Sequence, residues 1–386
     1  MNKRNIVILF IYSFLNSFLL YRACDVLYYL SKDISNSEYI NYITIGSIIT
    51  IIFLIPFGII KDKFNRKYIL LISNLFLLVA TLFYIYSNNV YLMGIGIIMS
   101  SVSNLLSQGI VISLIHSYIK DKSDYSKMYY KWSFVYYSGY LISMILGGIV
   151  ANYSLVSMYY ISLIPIVINF IVLLLFDDKN EKTKEKNGTK YLIKESVNLL
   201  SKNKLLKAIL LSEIIIVPTA DILAESHPEY LSNMGASTTL IGIYTAIMCL
   251  FAIIGNKIAS IYKKQIKVFF IYSLFFSISL IFIGVLNNYL SILFIIMFQC
   301  FFCVTNNIYN TTIQNECSDS YRQTVLAVFT FIISISEMII CTITSFIFNR
   351  MGLGLSYIIL GMVCIIELVI VLMYYKLKNK KDRRVL

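Results

Sequence analysis

Twelve apolar runs follow one another along this chain of 386 residues, at roughly 5–31, 38–60, 68–87, 91–119, 129–151, 155–176, 205–231, 238–261, 266–286, 290–315, 323–348 and 352–376. About 20 such residues are enough to cross a bilayer. Inside hydrocarbon every backbone N–H and C=O needs a partner within the protein, so runs of this kind are helices rather than open strands. Only 14% of the residues are charged, against about 25% in a soluble domain. The longest polar stretch, 177–204, has 28 residues and leaves no room for a separate soluble enzyme domain. The expected architecture is therefore an all-α integral membrane protein with twelve transmembrane helices. It divides into a first six-helix bundle over 1–176, a linker over 177–204 and a second six-helix bundle with its tail over 205–386.

The net charge of +13 would point to nucleic acid in a soluble protein. Here the cations lie in short loops, and 30 of the 33 fall on one side if the N-terminus is inside. These are Lys3 and Arg4, the 61–67 and 120–131 loops, the 179–207 segment, Lys257 to Lys267, Arg322 and the tail from Lys376. The other side keeps Lys32 and Arg350, and Arg22 lies within the first run. The bias predicts both termini in the cytoplasm and an even number of spans. It also removes the need for a nucleic-acid partner. Cys300-x-x-Cys303 has no second pair or neighbouring histidine to complete a metal site. His116 and His227 fall near opposite ends of their spans, so no metal is expected. No cofactor is expected either: there is no nucleotide-binding loop, and ATP is not the direct energy source. The first run is too long for a signal-peptide core and lacks a cleavage site, so it is expected to remain in the mature protein.

The two halves repeat each other faintly. Tyr29-Leu30-Ser31 with Ser35 ends the first run, and Tyr230-Leu231-Ser232 with Ser237 ends the seventh. The loop after the second run reads FGIIKDKFNRK from Phe57 to Lys67, and Gly255-x-x-x-Ala259-x-x-x-Lys263-Lys264 echoes it. The pattern Gly58-x-x-x-Asp62-x-x-x-Arg66-Lys67 resembles the signature loop between helices 2 and 3 of the major facilitator superfamily. That resemblance implies two pseudo-symmetric six-helix bundles rocking about a central site. It implies that the loop braces the halves on the cytoplasmic side and helps to set inward against outward opening. Within the loop, Gly58 permits close approach of helices, and Asp62 can meet a helix N-terminus or a cation. Leu27-Tyr28-Tyr29-Leu30, Pro56-x-Gly58 and Pro228-x-Tyr230-Leu231 look like drug-efflux members. Gln108-Gly109 resembles the end of the helix 4 motif, but Leu105 stands where its arginine would be. Gly139 and Gly147-Gly148 resemble a drug-antiporter glycine ladder without its proline, and are read as close helix packing.

Ionisable groups inside apolar runs are costly, and each is a site hypothesis. Arg22 and Asp25 lie one turn apart in the first run, either as a local ion pair or as part of the pathway. The seventh run carries Glu213, Asp221 and Glu225 around Pro218. Carboxyls shielded from water can exchange protons near neutral pH. Asp221 is the first candidate for proton coupling and Glu213 the second, the alternative for Asp221 and Glu225 being capping of the outer helix end. Glu337 and Glu367 have no assigned role. Gln299, Cys303, Asn306, Asn310 and Gln314 form one stripe on the tenth run, and Ser100, Asn104 and Gln108 another on the fourth. They line a wet cavity or bond helix to helix. Trp132, Tyr136 and Tyr140 follow at helical spacing; the last two either stack on a substrate or belong to an interfacial belt.

The resulting expectation is a secondary transporter, not an enzyme, since no nucleophile–base pair or catalytic carboxylate dyad appears. Proton-coupled export of small amphipathic or cationic compounds is preferred. Nutrient uptake is the runner-up, and a non-transporting sensor or scaffold the alternative from another class. The chain is expected to act as a monomer in the plasma membrane. Its abundant Ile, Lys, Asn and Tyr fit an AT-rich bacterial genome.

Overall fold

The computed structural model describes residues 3–87, 90–118, 125–177, 203–262, 265–316 and 322–382. Nearly all of the 177–204 linker, Lys263 and Lys264, and the side chains of Asp62, His116 and Gln314 lie outside the described residues. The first span is α1 (Lys3–Ser17), a 3-10 turn (Leu20–Ala23) and α2 (Asp25–Leu30). The second and third are α3 (Asn36–Lys63) and α4 (Arg66–Tyr86). The fourth is divided into α5 (Val90–Ser107) and α6 (Ile110–Tyr118). Then come α7 (Tyr125–Tyr153), α8 (Leu155–Leu174), α9 (Lys204–Asn233), α10 (Thr238–Ile261), α11 (Gln265–Leu286) and α12 (Ser291–Glu316). The last two spans form α13 (Arg322–Asp382), which turns at Gly352, φ 75°. Only glycine adopts that conformation without strain.

Among the described residues, eight helices are long and apolar enough to cross a membrane, one of them the 49-residue stretch that turns at Gly352 and makes two passes. Their surfaces are inverted relative to a soluble protein. On α8, Ile161, Ile164, Ile168 and Ile171 form an exposed stripe, while Ser162 and Asn169 are buried. Buried polar groups stitch the helices together. Asn74 Nδ2 on α4 donates to Ile166 O on α8 at 2.9 Å, and Ser73 on α4 pairs with Ser103 on α5. The ends of the molecule are named here by position: the termini face carries both chain ends, and the far face carries the turns at 31–35, 154, 234–237, 287–290 and 352.

Two spans expected to be continuous are broken. Span one leaves the helix at Leu19 (φ −119°, ψ 109°) and re-enters after Cys24 (φ −147°, ψ 31°). The freed backbone is held from outside: Leu20 N–H donates to Ser162 Oγ at 2.9 Å. Leu20 O lies against Gly147, where any Cβ would strike it. Irregular backbone at membrane depth persists only where protein or a polar cavity satisfies it. Span four breaks at Gly109, φ 76°.

The repeat is visible in the packing. Ser35 caps α3 by accepting from Glu38 N–H, and Ser237 caps α10 by accepting from Leu240 N–H. The aligned tyrosine needs a correction of one residue. Tyr28, not Tyr29, is the counterpart of Tyr230: each donates to a carbonyl near the far end of its bundle's third helix, Tyr84 O and Ile283 O.

Candidate functional site

The bundles meet where α7 packs on α10 and α3 packs on α13, with α2 and α3 also against α9. On the far half, α7 and α10 touch backbone to backbone. A Cβ at Gly148 would lie 2.6 Å from Thr238 O and 2.9 Å from Gly242 Cα. Gly139 and Gly147, on another face of α7, admit the irregular part of span one. The expectation that these glycines serve close packing holds.

Beside this contact, titratable groups from both bundles converge. The Tyr39 hydroxyl, on α3, is hydrogen bonded to Asp25 Oδ2 at 3.1 Å and to Glu225 Oε2 on α9 at 2.5 Å. Asp25 Oδ1 accepts from Val26 N–H at 2.9 Å. The Tyr29 ring packs on Tyr39 with centroids 4.8 Å apart, and Tyr21, Tyr84 and Tyr159 stand around Asp25. One turn further along α9, Asp221 faces Glu337 on α13, and Glu337 meets Ser47 of α3. Asp25, Glu225, Asp221 and Glu337 thus form a carboxyl track along the line where the bundles touch. Tyr39 and Ser47 went unnoticed because a lone tyrosine or serine in an apolar run carries no signal of its own.

Arg22 departs from the local ion pair. The break in span one sends it to α7, where its guanidinium lies 5.7 Å from the Tyr140 ring centroid with Tyr136 beside it. Trp132 stacks on Tyr136 at 5.7 Å and donates to Ser13 Oγ at 2.9 Å. No ion pair to Arg22 forms among the described residues. Arg22, Tyr136 and Tyr140, assigned separately to coupling and to the cavity, are one cluster. An arginine over aromatic faces is stabilised by the ring quadrupoles.

The amide stripes divide. On α5, Ser100 is taken up by Tyr84 at 3.0 Å, whereas Asn104 and Gln108 are exposed. On α12, Gln299 reaches Cys303 Sγ at 3.7 Å, and Asn310 donates to Asn306 Oδ1 at 2.7 Å. A second amide line was missed. Asn307 donates to Asn256 Oδ1 at 3.0 Å, and Asn256 donates to Ser133 Oγ across the bundle interface at 3.2 Å. Asn256 sits alone on α10, so only the tertiary fold reveals its partners.

Glu213 lies apart from the track. It faces Glu367 on the second arm of α13. Both are buried, and among the described residues none of their four carboxyl oxygens makes a hydrogen bond of good geometry, although the Ser212 hydroxyl lies beside Glu367. A buried polar group left unsatisfied costs about 1–3 kcal/mol. The double substitution Glu213→Met, Glu367→Met keeps side-chain length and removes that cost. It is expected to raise the unfolding midpoint in detergent by several degrees; a lower midpoint would show that the pair holds the helices together.

Comparison with known families adds the decisive observation: the Major Facilitator Superfamily description matches residues 6–341. The chain belongs to the major facilitator superfamily. Its fold is shared with solved transporters at low sequence identity. A D-xylose–proton symporter aligns with TM-score 0.76 and 12% identity over 96% of this chain and 97% of that one. The nucleoside transporter NupG aligns with TM-score 0.74 and 15% identity over 95% and 99%. A POT family transporter in complex with 5-aminolevulinic acid aligns with TM-score 0.71 and 12% identity over 97% and 96%. Comparison with curated proteins by sequence gives no match. The chain is a multi-pass membrane transporter of small molecules and not an enzyme.

The loop that resembles the superfamily's signature can now be placed. Lys67 Nζ donates to Leu174 O at 2.6 Å and Lys61 Nζ to Gln108 O at 3.0 Å. Arg66 opens α4, whose N-cap Asn65 accepts from Lys67 N–H at 2.9 Å. Cations beside C-terminal carbonyls satisfy orphan acceptors and oppose the helix dipole. These contacts lie within the first bundle. The close approach expected of Gly58 is absent, since a Cβ there would meet nothing within 4 Å. Its repeat partner Gly255 makes such an approach instead, against Cys300 O of α12.

Proposed function

We propose that this major facilitator chain exports small cationic or amphipathic compounds in exchange for protons, by alternating access. The observation that carries the reading is the carboxyl track at the bundle interface. Asp25, Asp221, Glu225 and Glu337 outnumber Arg22, their one cationic neighbour in the track. A compound with positive charge and aromatic surface suits that acidic excess beside Tyr136 and Tyr140. Protons and such a compound would compete for the same carboxyls, which is the physical basis of exchange. Asn104 and Gln108 are exposed amides, and amides do not face hydrocarbon without cost. They support an opening at the termini face, with the far face closed. In this reading the termini face is cytoplasmic, as the lysine bias requires. The bodies that rock are 1–176 and 205–386, joined by the 177–204 linker. Gln299, Asn306 and Asn310 contribute polar contacts to the cavity, the membrane is the bacterial plasma membrane, and one copy suffices.

Proton-coupled uptake is the second reading, favoured by the likeness to a D-xylose–proton symporter. Inverted vesicles holding an imposed proton gradient separate the two. A panel of cationic dyes, antibiotics and metabolites is added and the gradient followed. Collapse on adding a cationic compound, lost in Asp221→Asn, is the expected result. Collapse that survives Asp221→Asn removes this residue from the route. Silence to every cationic compound, with proton movement driven by a neutral metabolite, replaces export with uptake.

A further inference from the structure

We infer that Asp25, Tyr39 and Glu225 form a latch that holds one shared proton and ties the far ends of the two bundles together. The inference rests on the alternating-access reading above and names the site that couples proton binding to it. Its basis is a proton count. A phenol has one proton to donate, yet the Tyr39 oxygen is hydrogen bonded to a carboxyl on each side, at 3.1 Å and 2.5 Å. Tyr39 donates to one carboxylate, so the other carboxyl carries a proton and donates to the Tyr39 oxygen. The trio therefore holds one proton between two acids, with Tyr39 as donor to one and acceptor from the other. Asp25 and Tyr39 belong to the first bundle and Glu225 to the second, so this chain of bonds crosses the interface.

Departure of the proton breaks the chain in a defined way. Two carboxylates then flank a phenol that can satisfy only one of them. One interbundle hydrogen bond is lost and two negative charges oppose each other across the contact. Arg22 from span one offsets part of that charge, while Asp221 on α9 adds to it. The other titratable groups facing the latch are phenols and thiols: Tyr21, Tyr29, Tyr84, Tyr140, Tyr159, Cys24 and Cys341. They supply no further fixed charge at neutral pH. Protonation closes the far face and deprotonation releases it, with Tyr39 as the positioning residue between the two acids.

Hydrogen–deuterium exchange of the full chain in nanodiscs, without any transported compound, tests this. In the wild type, protection over 36–50 and 221–235, taken relative to the unfolded-chain exchange rate at each pH, is expected to be high at mildly acidic pH and to fall as the medium becomes alkaline. Glu225→Gln keeps a donor toward Tyr39 at every pH, so that fall is expected to vanish and protection to stay high. Tyr39→Phe removes the bridge, so protection is expected to be low throughout. Infrared spectroscopy adds a readout that a merely structural role would not move: a protonated-carboxyl C=O band present in the wild type and missing in Glu225→Gln. A wild type with no pH-dependent step, or a step that persists in Glu225→Gln, overturns the latch. Proton-driven transport surviving in Tyr39→Phe overturns it too and leaves the transport reading standing. A latch that behaves as described in a chain moving no protons overturns the transport reading instead.

Discussion

Gly148→Leu is expected to abolish transport while leaving both bundles folded. At this position α7 and α10 meet through bare backbone, and even a methyl group would sit 2.6 Å from Thr238 O and 2.9 Å from Gly242 Cα. Those atoms belong to a helix backbone and cannot rotate aside, so relief requires the bundles to part. Overfilling a packed contact costs about 1–3 kcal/mol, and about 1.4 kcal/mol is a factor of ten in an equilibrium. Gly148→Ala alone should therefore lower the far-closed population, and the transport rate with it, by roughly ten- to a hundredfold. Leucine, which reaches further, should remove that state. Gly242→Ala should reproduce the alanine effect from the other side, because Gly242 meets Gly148 reciprocally. Gly94→Ala is the control, since a Cβ there meets nothing within 4 Å. Equal transport in Gly94→Ala and Gly148→Ala would show that the glycine contact plays no part in closure.

Arg22→Gln should be damaging too, through charge rather than shape. The guanidinium stands in an aromatic pocket of α7 and shares the field of Asp25 and Glu225. Removing the nearby cation raises the cost of ionising those carboxyls, which predicts loss of transport by roughly tenfold or more. Arg22→Lys keeps the charge but loses the planar fork that stands beside Tyr136 while lying over Tyr140. It should recover only part of the activity, with the initial uptake rate in vesicles as the readout. Full activity in Arg22→Gln would remove the arginine from the pathway.

The spans were legible in the sequence because membrane length and apolarity are local properties. Ser35 and Ser237 were legible as marks of the repeat, and the structure adds that each caps the helix that follows. The glycines of α7 were also readable as contacts, although not the identity of what they touch. What escaped was every feature that depends on a remote partner. No proline or glycine marks the break at Leu19, which is held by Ser162 and Gly147 from α8 and α7. That break separates Arg22 from Asp25, two residues that helical spacing would keep together. Tyr39 and Glu225 are 186 residues apart, and neither forms a pattern with its own neighbours. The Asn307–Asn256–Ser133 line was hidden for the same reason. Gly58 shows the opposite failure. A strong family signature implied a close approach there, but in this conformation the contact is made by Gly255 in the other half.

The central claim is that closing at one face accompanies opening at the other. It is tested most directly by two distances measured together. Exposed positions on opposite bundles serve as label sites: Tyr153 and Tyr289 at the far face, Tyr68 and Tyr262 at the termini face. Labels carried on unnatural amino acids avoid the native thiols, and spin-echo spectroscopy reads each pair as pH is raised or a transported compound is added. The Tyr153–Tyr289 distance is expected to grow while the Tyr68–Tyr262 distance shrinks. Two distances that move in the same direction, or a far-face pair that stays fixed, would contradict it.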